Sequence, residues 1–71
     1  MNWTPDQVLR ARKRLGLTQA ELAERLRLAP ATGKDTVRSW ESGKRPITGP
    51  AQVAIEFMLL EREQKKGAKH G

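Results

Sequence analysis

The chain has 71 residues, carries 14 Lys plus Arg against 8 Asp plus Glu for a net charge of +6, and contains no cysteine. A chain of about 60 residues buries only about 60% of its unfolded surface, so the length allows one small domain with a thin core and no deep catalytic cleft. Disulfides, thiol nucleophiles and Cys-based zinc sites are excluded, and the single His70, next to last, offers no metal or general-base site, so neither an enzyme nor a cofactor is expected.

The first helix is predicted over about 5–15. Thr4 reads as its N-cap, Pro5 takes the first helical position, and Gln7 closes a capping box. Trp3 and Val8 form the two ends of a hydrophobic staple. Val8, Ala11 and Leu15 share one stripe, with Arg10, Lys13 and Arg14 mostly off it. Gly16 supplies the left-handed end.

Thr18 and Glu21 repeat the capping box, with Leu17 and Leu22 as the staple, and predict a second helix over about 19–27. Residues 28–33, with Pro30 and Gly33, read as a loose connection. A third helix is predicted over 34–42, capped from Thr32 or Gly33 and ended by Gly43. Its inner face is Val37, Trp40 and Glu41, and its outer face is Lys34, Asp35, Arg38 and Ser39. Residues 44–49 form a loop, and Pro50 opens a fourth helix reaching about Gln64. The expectation is an all-α, four-helix domain over 1–64 with a frayed basic tail over 65–71.

The stretches Leu15–Leu26 and Thr36–Pro46 together resemble the Cro/repressor-type, XRE-like helix-turn-helix family. The resemblance covers roughly residues 5–60 and implies a lambda-repressor-like fold, with the third helix in the major groove of double-stranded DNA. One departure is plain: the segment between Leu26 and Val37 is about four residues longer than the family's tight turn. The longer turn brings Thr32 and Lys34 into consideration against DNA.

On the outer face of the third helix, Arg38 can present a bidentate fork to guanine, and Lys34 can reach guanine or phosphate. Ser39 permits close approach, and Asp35 can accept from a cytosine amine or orient Arg38. Base contacts are expected in the order Arg38, Lys34, Ser39, Asp35. Backbone contacts are expected from Thr18 and Gln19, from Thr32, and from the loop pair Lys44 and Arg45. The resemblance implies that Gln19 touches phosphate or braces a recognition-helix side chain. Trp40 belongs to the core, since three aromatics make no stacking platform for single strands. Glu41, on the inner side, needs a cation, and the resemblance implies Arg12 as its partner.

The fourth helix is too apolar for one face. Val53, Phe57 and Leu60 are expected to close the core, leaving Ile55, Met58 and Leu59 for a homodimer contact. The leading expectation is a cytoplasmic, sequence-specific regulator, a repressor of phage or mobile-element type. It binds a near-palindromic operator as a homodimer, with no membrane and no small-molecule ligand involved. The alternative is a protein-interaction module, such as an antitoxin or adaptor, working through the fourth helix.

Overall fold

The computed structural model describes the backbone of residues 3–68 and side chains through Gln64. Four helices follow in order: α1 Pro5–Leu15, α2 Gln19–Arg25, α3 Gly33–Ser42 and α4 Gly49–Ala68. Among the described residues there is no strand. Helices α2 and α3 pack as a pair, α1 lies against α3, and α4 docks on α1.

Local chemistry sets the ends. The Thr4 hydroxyl accepts from the Gln7 N–H, and the Gln7 side chain accepts from the Thr4 N–H at 2.7 Å. Thr18 and Glu21 repeat this reciprocal pair at the start of α2. At the end of α1, Gly16 is left-handed (φ 72°), and the Gly16 and Leu17 amides return to the carbonyls of Lys13 and Arg12. This is a Schellman ending.

Helix α2 ends the same way, two residues earlier than predicted. The Arg27 and Leu28 amides return to the carbonyls of Glu24 and Ala23, both at 3.0 Å, with Arg27 itself at φ 61°. No glycine marks this stop, which is why the sequence carried the helix through Arg27. The connection that follows is ordered. Ala29 O accepts from both Thr32 N–H (3.1 Å) and Gly33 N–H (2.7 Å), so Pro30 opens a single helical turn leading directly into α3.

Gly33 therefore has a different role from the flexibility expected of it. It is buried as the first residue of α3, and a Cβ there would stand 2.9 Å from the Ala23 Cβ and 3.0 Å from the Leu28 Cβ. The missing side chain is what lets α2 and α3 approach. Thr32 holds the N-cap position but makes no side-chain capping bond.

Helix α4 starts at Gly49, because the Thr48 hydroxyl accepts from the Ala51 N–H at 3.3 Å and makes Thr48 the cap. Pro50 is then the second helical residue. The helix continues to Ala68, into the segment expected to fray; residues 69–71 lie outside the described residues.

The core is Val8, Ala11, Leu22, Ala23, Val37, Trp40, Ile47 and Ile55. Each fully buried aliphatic side chain contributes roughly 2 kcal/mol of hydrophobic stabilisation. Ile47 falls in the stretch expected to form a loop. It is a core residue, the apolar residue just ahead of the Thr48 cap.

The face of α4 is the main correction. Ile55 is fully buried, and Met58 and Leu59 pack against the core, so these three do not form an outer surface. The exposed apolar residues are Val53 (50%), Phe57 (65%) and Leu60 (51%), the ones expected to close the core. Residues two apart on a helix point about 200° away from each other, so Val53 and Ile55 compete for the inside. The roll is matched by polar contacts at the far end: Arg14 pairs with Glu63 at 3.2 Å, and Arg62 donates to the Arg14 carbonyl. Ala51, Ile55, Met58, Leu59, Arg62 and Glu63 follow one stripe at spacings of three and four.

Candidate nucleic-acid interface

The interface is built around the two faces of α3. Val37 and Trp40 are buried, fixing the inner face against α1 and α2. Lys34, Asp35 and Arg38 are exposed on the other side, and Ser39 is half-buried at its edge. None of these four side chains has an ion pair or side-chain hydrogen bond within the described structure. Asp35 and Arg38, though one turn apart, are not bonded to each other. Thr36 turns back on the helix, its hydroxyl donating to the Thr32 carbonyl at 3.0 Å.

Behind this face, Glu41 joins three parts of the fold. Arg12 Nε donates to Glu41 Oε2 at 2.6 Å and Nη2 donates to Oε1 at 3.1 Å. The remaining guanidinium nitrogen, Nη1, donates to the Leu17 carbonyl at 2.9 Å. Gln19 Nε2 donates to Glu41 Oε1 at 3.0 Å. The carboxylate thus accepts three bonds, and no buried side-chain nitrogen or oxygen among the described residues lacks a partner. Gln19 is placed as a brace at the start of α2. Its side chain is committed to Glu41, which leaves its main chain and Thr18 at the outer edge.

Helix α3 ends at Gly43, which is left-handed at φ 82°. The amides of Gly43, Lys44 and Arg45 converge on one acceptor, the Ser39 carbonyl, at 3.0 Å for Lys44 and 3.2 Å for Arg45. Ile47, buried, pins the other end of the loop. Lys44 and Arg45 are consequently held by main-chain bonds, with both side chains exposed and unpaired among the described residues.

The cations of α1 are placed differently. Arg12 is committed to Glu41, Arg10 pairs with Asp6 at 2.9 Å and Arg14 with Glu63. Of the described cations without an ion pair, Arg27, Lys34, Arg38, Lys44 and Arg45 lie on α3 or on the segments just before and after it, whereas Lys13 on α1, Arg25 on α2 and Arg62 on α4 lie elsewhere. Arg27, in the turn before α3, belongs to the first group; the sequence pattern places it inside a regular helix, where nothing singles it out.

This arrangement is matched by a family. The helix-turn-helix family profile, of the XRE type, matches residues 8–51, more than half of the chain and the whole of α2 and α3. The chain belongs to the XRE-type helix-turn-helix family. Neither a curated protein nor a solved structure matches it significantly. As a member of this family the protein is a double-stranded-DNA-binding regulator, with α2 and α3 as its helix-turn-helix. Family members place α3 as the recognition helix, and here that helix offers its polar face outward with its apolar face buried. No helix of the described residues is long and apolar enough to cross a membrane. Among those residues no group of His, Asp or Glu is arranged to hold a metal ion.

Proposed function

We propose that the protein is a sequence-specific repressor that binds a near-palindromic operator as a homodimer. The observation that carries this reading is the exposed, unpaired set Lys34, Asp35, Arg38 and Ser39 on a helix whose other face is locked into the core. Arg38 reads guanine through its two-pronged guanidinium, and Lys34 adds a second contact at the amino end. Ser39 and Asp35 complete the base-reading set. Lys44, Arg45 and Thr32, with the main chain at Thr18 and Gln19, hold the DNA backbone.

The dimer contact, in this proposal, is the stripe Val53, Phe57 and Leu60 in place of the residues expected from sequence. A stripe at spacings of four and three is self-complementary and suits a two-fold pair of α4 helices. Such a pair would set two copies of α3 about 34 Å apart, one helical turn of DNA. Two recognition helices one helical turn apart cover more than a turn of DNA, enough to occlude a promoter element, which supports repression.

Selection of bound duplexes from a random pool tests the proposal. The expected result is a near-palindrome with guanines whose recognition is lost in Arg38→Ala, while folding and dimerisation persist. A single ungapped half-site would remove the dimer. Failure of every duplex to compete better than random DNA would favour a protein-interaction module acting through the α4 stripe.

A further inference from the structure

Among the described residues, Arg27 is the sole non-glycine residue with positive φ, at 61°. The left-handed conformation costs a residue with a Cβ roughly 1–2 kcal/mol relative to the ordinary helical region. The equivalent position at the end of α1 is Gly16, at φ 72°, and the residue closing α3 is Gly43, at φ 82°. The chain therefore uses glycine at two helix ends and an arginine at the third. Strain of this kind, where a less strained residue would serve the backbone equally, directs attention to the side chain.

That side chain is exposed and makes no hydrogen bond or ion pair with any described residue. Its location is fixed. The Arg27 and Leu28 amides are bonded back to α2, and Leu28 lies against Gly33, the first residue of α3. Arg27 and Lys34 line the same groove between the end of α2 and the start of α3, with Glu24 as its one carboxylate and Ala20, Ala29 and Pro30 among its other walls. A positive rim thus stands at the amino end of the recognition helix, built from the elongated turn that departs from the family's shorter one.

We propose that Arg27, together with Lys34, forms a second phosphate clamp at the amino end of α3, opposite the Lys44–Arg45 clamp at its carboxyl end. The inference rests on the DNA-binding reading above and names a contact that reading lacks. Ten helical residues span about 15 Å, comparable with the roughly 12 Å width of the major groove. A recognition helix lies in the groove with its amino end toward the base edges, so cations just before and just after it stand beside the phosphates that flank the groove. The bonds from the Arg27 and Leu28 amides back to α2 hold Arg27 at that end, and the Pro30 turn carries the chain from there into α3. Lys34 is shared between base edge and phosphate, whereas Arg27, seated before the helix, faces phosphate alone.

The strain supplies a clean test. Arg27→Gly removes the side chain and relieves the backbone, so a loss of binding cannot be attributed to unfolding. The experiment measures thermal unfolding and the salt dependence of binding to the selected operator and to a random duplex. Wild type, Arg27→Gly, Arg27→Lys and Arg38→Ala are compared. The expected result is a higher Tm for Arg27→Gly together with a salt slope flatter by about one unit and similar weakening on both duplexes. Arg27→Lys should keep most of the slope. An unchanged slope in Arg27→Gly, with wild type still selecting its operator, overturns the clamp and leaves the DNA-binding reading intact. A loss confined to the operator also overturns it, since a phosphate contact does not read sequence. Absence of duplex binding by wild type overturns both.

Discussion

Arg12 grips the Glu41 carboxylate through two nitrogens, Nε at 2.6 Å and Nη2 at 3.1 Å, and so fastens α1 to the back of the recognition helix. The two side chains are 14% and 8% exposed, so the pair is largely removed from water. Because Arg12 also donates to the Leu17 carbonyl and Gln19 also donates to Glu41, one carboxylate positions α1, the turn before α2, and α3 together. Arg38 lies one turn before Glu41 on the same helix, so this bracing sets where the outer face of α3 stands relative to α1 and α2.

Breaking that pair from one side should cost far more than removing both partners. Arg12→Ala leaves a shielded carboxylate with only Gln19, and the expected loss is about 3 kcal/mol or more. A domain of this size has a total stability of only some 4–10 kcal/mol, so the melting temperature should fall by roughly 15 °C or more. The double substitution Arg12→Met with Glu41→Leu should recover most of this loss. A double-mutant cycle by chemical denaturation measures the coupling; additive effects would show that the pair contributes little.

At Gly33, packing and helix propensity act in opposite directions. Alanine is favoured over glycine inside a helix by about 1 kcal/mol. Here the added Cβ would meet the Ala23 Cβ at 2.9 Å and the Leu28 Cβ at 3.0 Å. The Ala23 methyl has no rotamer by which to move aside, and overpacking typically costs 1–3 kcal/mol, roughly. Gly33→Ala should therefore destabilise the domain by about 1 kcal/mol, seen as a lower denaturation midpoint with unchanged m. Adding Ala23→Gly should relieve part of the clash. A stabilised Gly33→Ala would mean that the α2–α3 contact is looser than the structure shows.

Lys44 and Arg45 should act on affinity without acting on stability. Their loop is held by amides on the Ser39 carbonyl and by buried Ile47, with neither cationic side chain involved. Lys44→Ala and Arg45→Ala should each flatten the salt dependence of DNA binding by about one slope unit and weaken all sequences alike. The denaturation midpoint should not move. Fluorescence anisotropy across a salt series checks the slope, and an unchanged value would take that residue out of the backbone clamp.

Helix starts were the most legible part of the sequence, because Thr4–Gln7 and Thr18–Glu21 announce themselves through residue type at fixed spacing. The stops were legible only where glycine marks them, at Gly16 and Gly43. The end of α2 was not, since Arg27 takes the left-handed position that sequence patterns assign to glycine. Gly33 is ambiguous in the sequence for a related reason: flexibility and close approach leave the same letter, and only the position of Ala23 separates them. For the candidate site, the division of α3 into a Val37–Trp40 inner face and a Lys34–Arg38 outer face followed from helical spacing. The roll of α4 did not, because Val53–Phe57–Leu60 and Ile55–Met58–Leu59 are equally apolar stripes. What distinguishes them is polar: Arg62 and Glu63 share the second stripe and meet Arg14 across α1.

That roll makes the two stripes of α4 respond oppositely to substitution. Phe57 is 65% exposed and flanked by exposed Val53 and Leu60, whereas Ile55 is fully buried. Phe57→Glu places its charge in water in the monomer, so the fold should persist with near-native helicity. In a dimer sealed by this stripe, two carboxylates would be buried near the two-fold axis, and the subunits should separate. Ile55→Ala removes buried methyl groups from the core and should cost about 2–4 kcal/mol, without a specific effect on assembly of the molecules that remain folded. Sedimentation equilibrium and circular dichroism on both variants distinguish these outcomes. The Phe57→Glu monomer should also lose its preference for a full palindrome over a half-site, because the second recognition helix is no longer linked at one helical turn. A folded, dimeric Phe57→Glu would place the subunit contact elsewhere and leave the exposed stripe to a different partner.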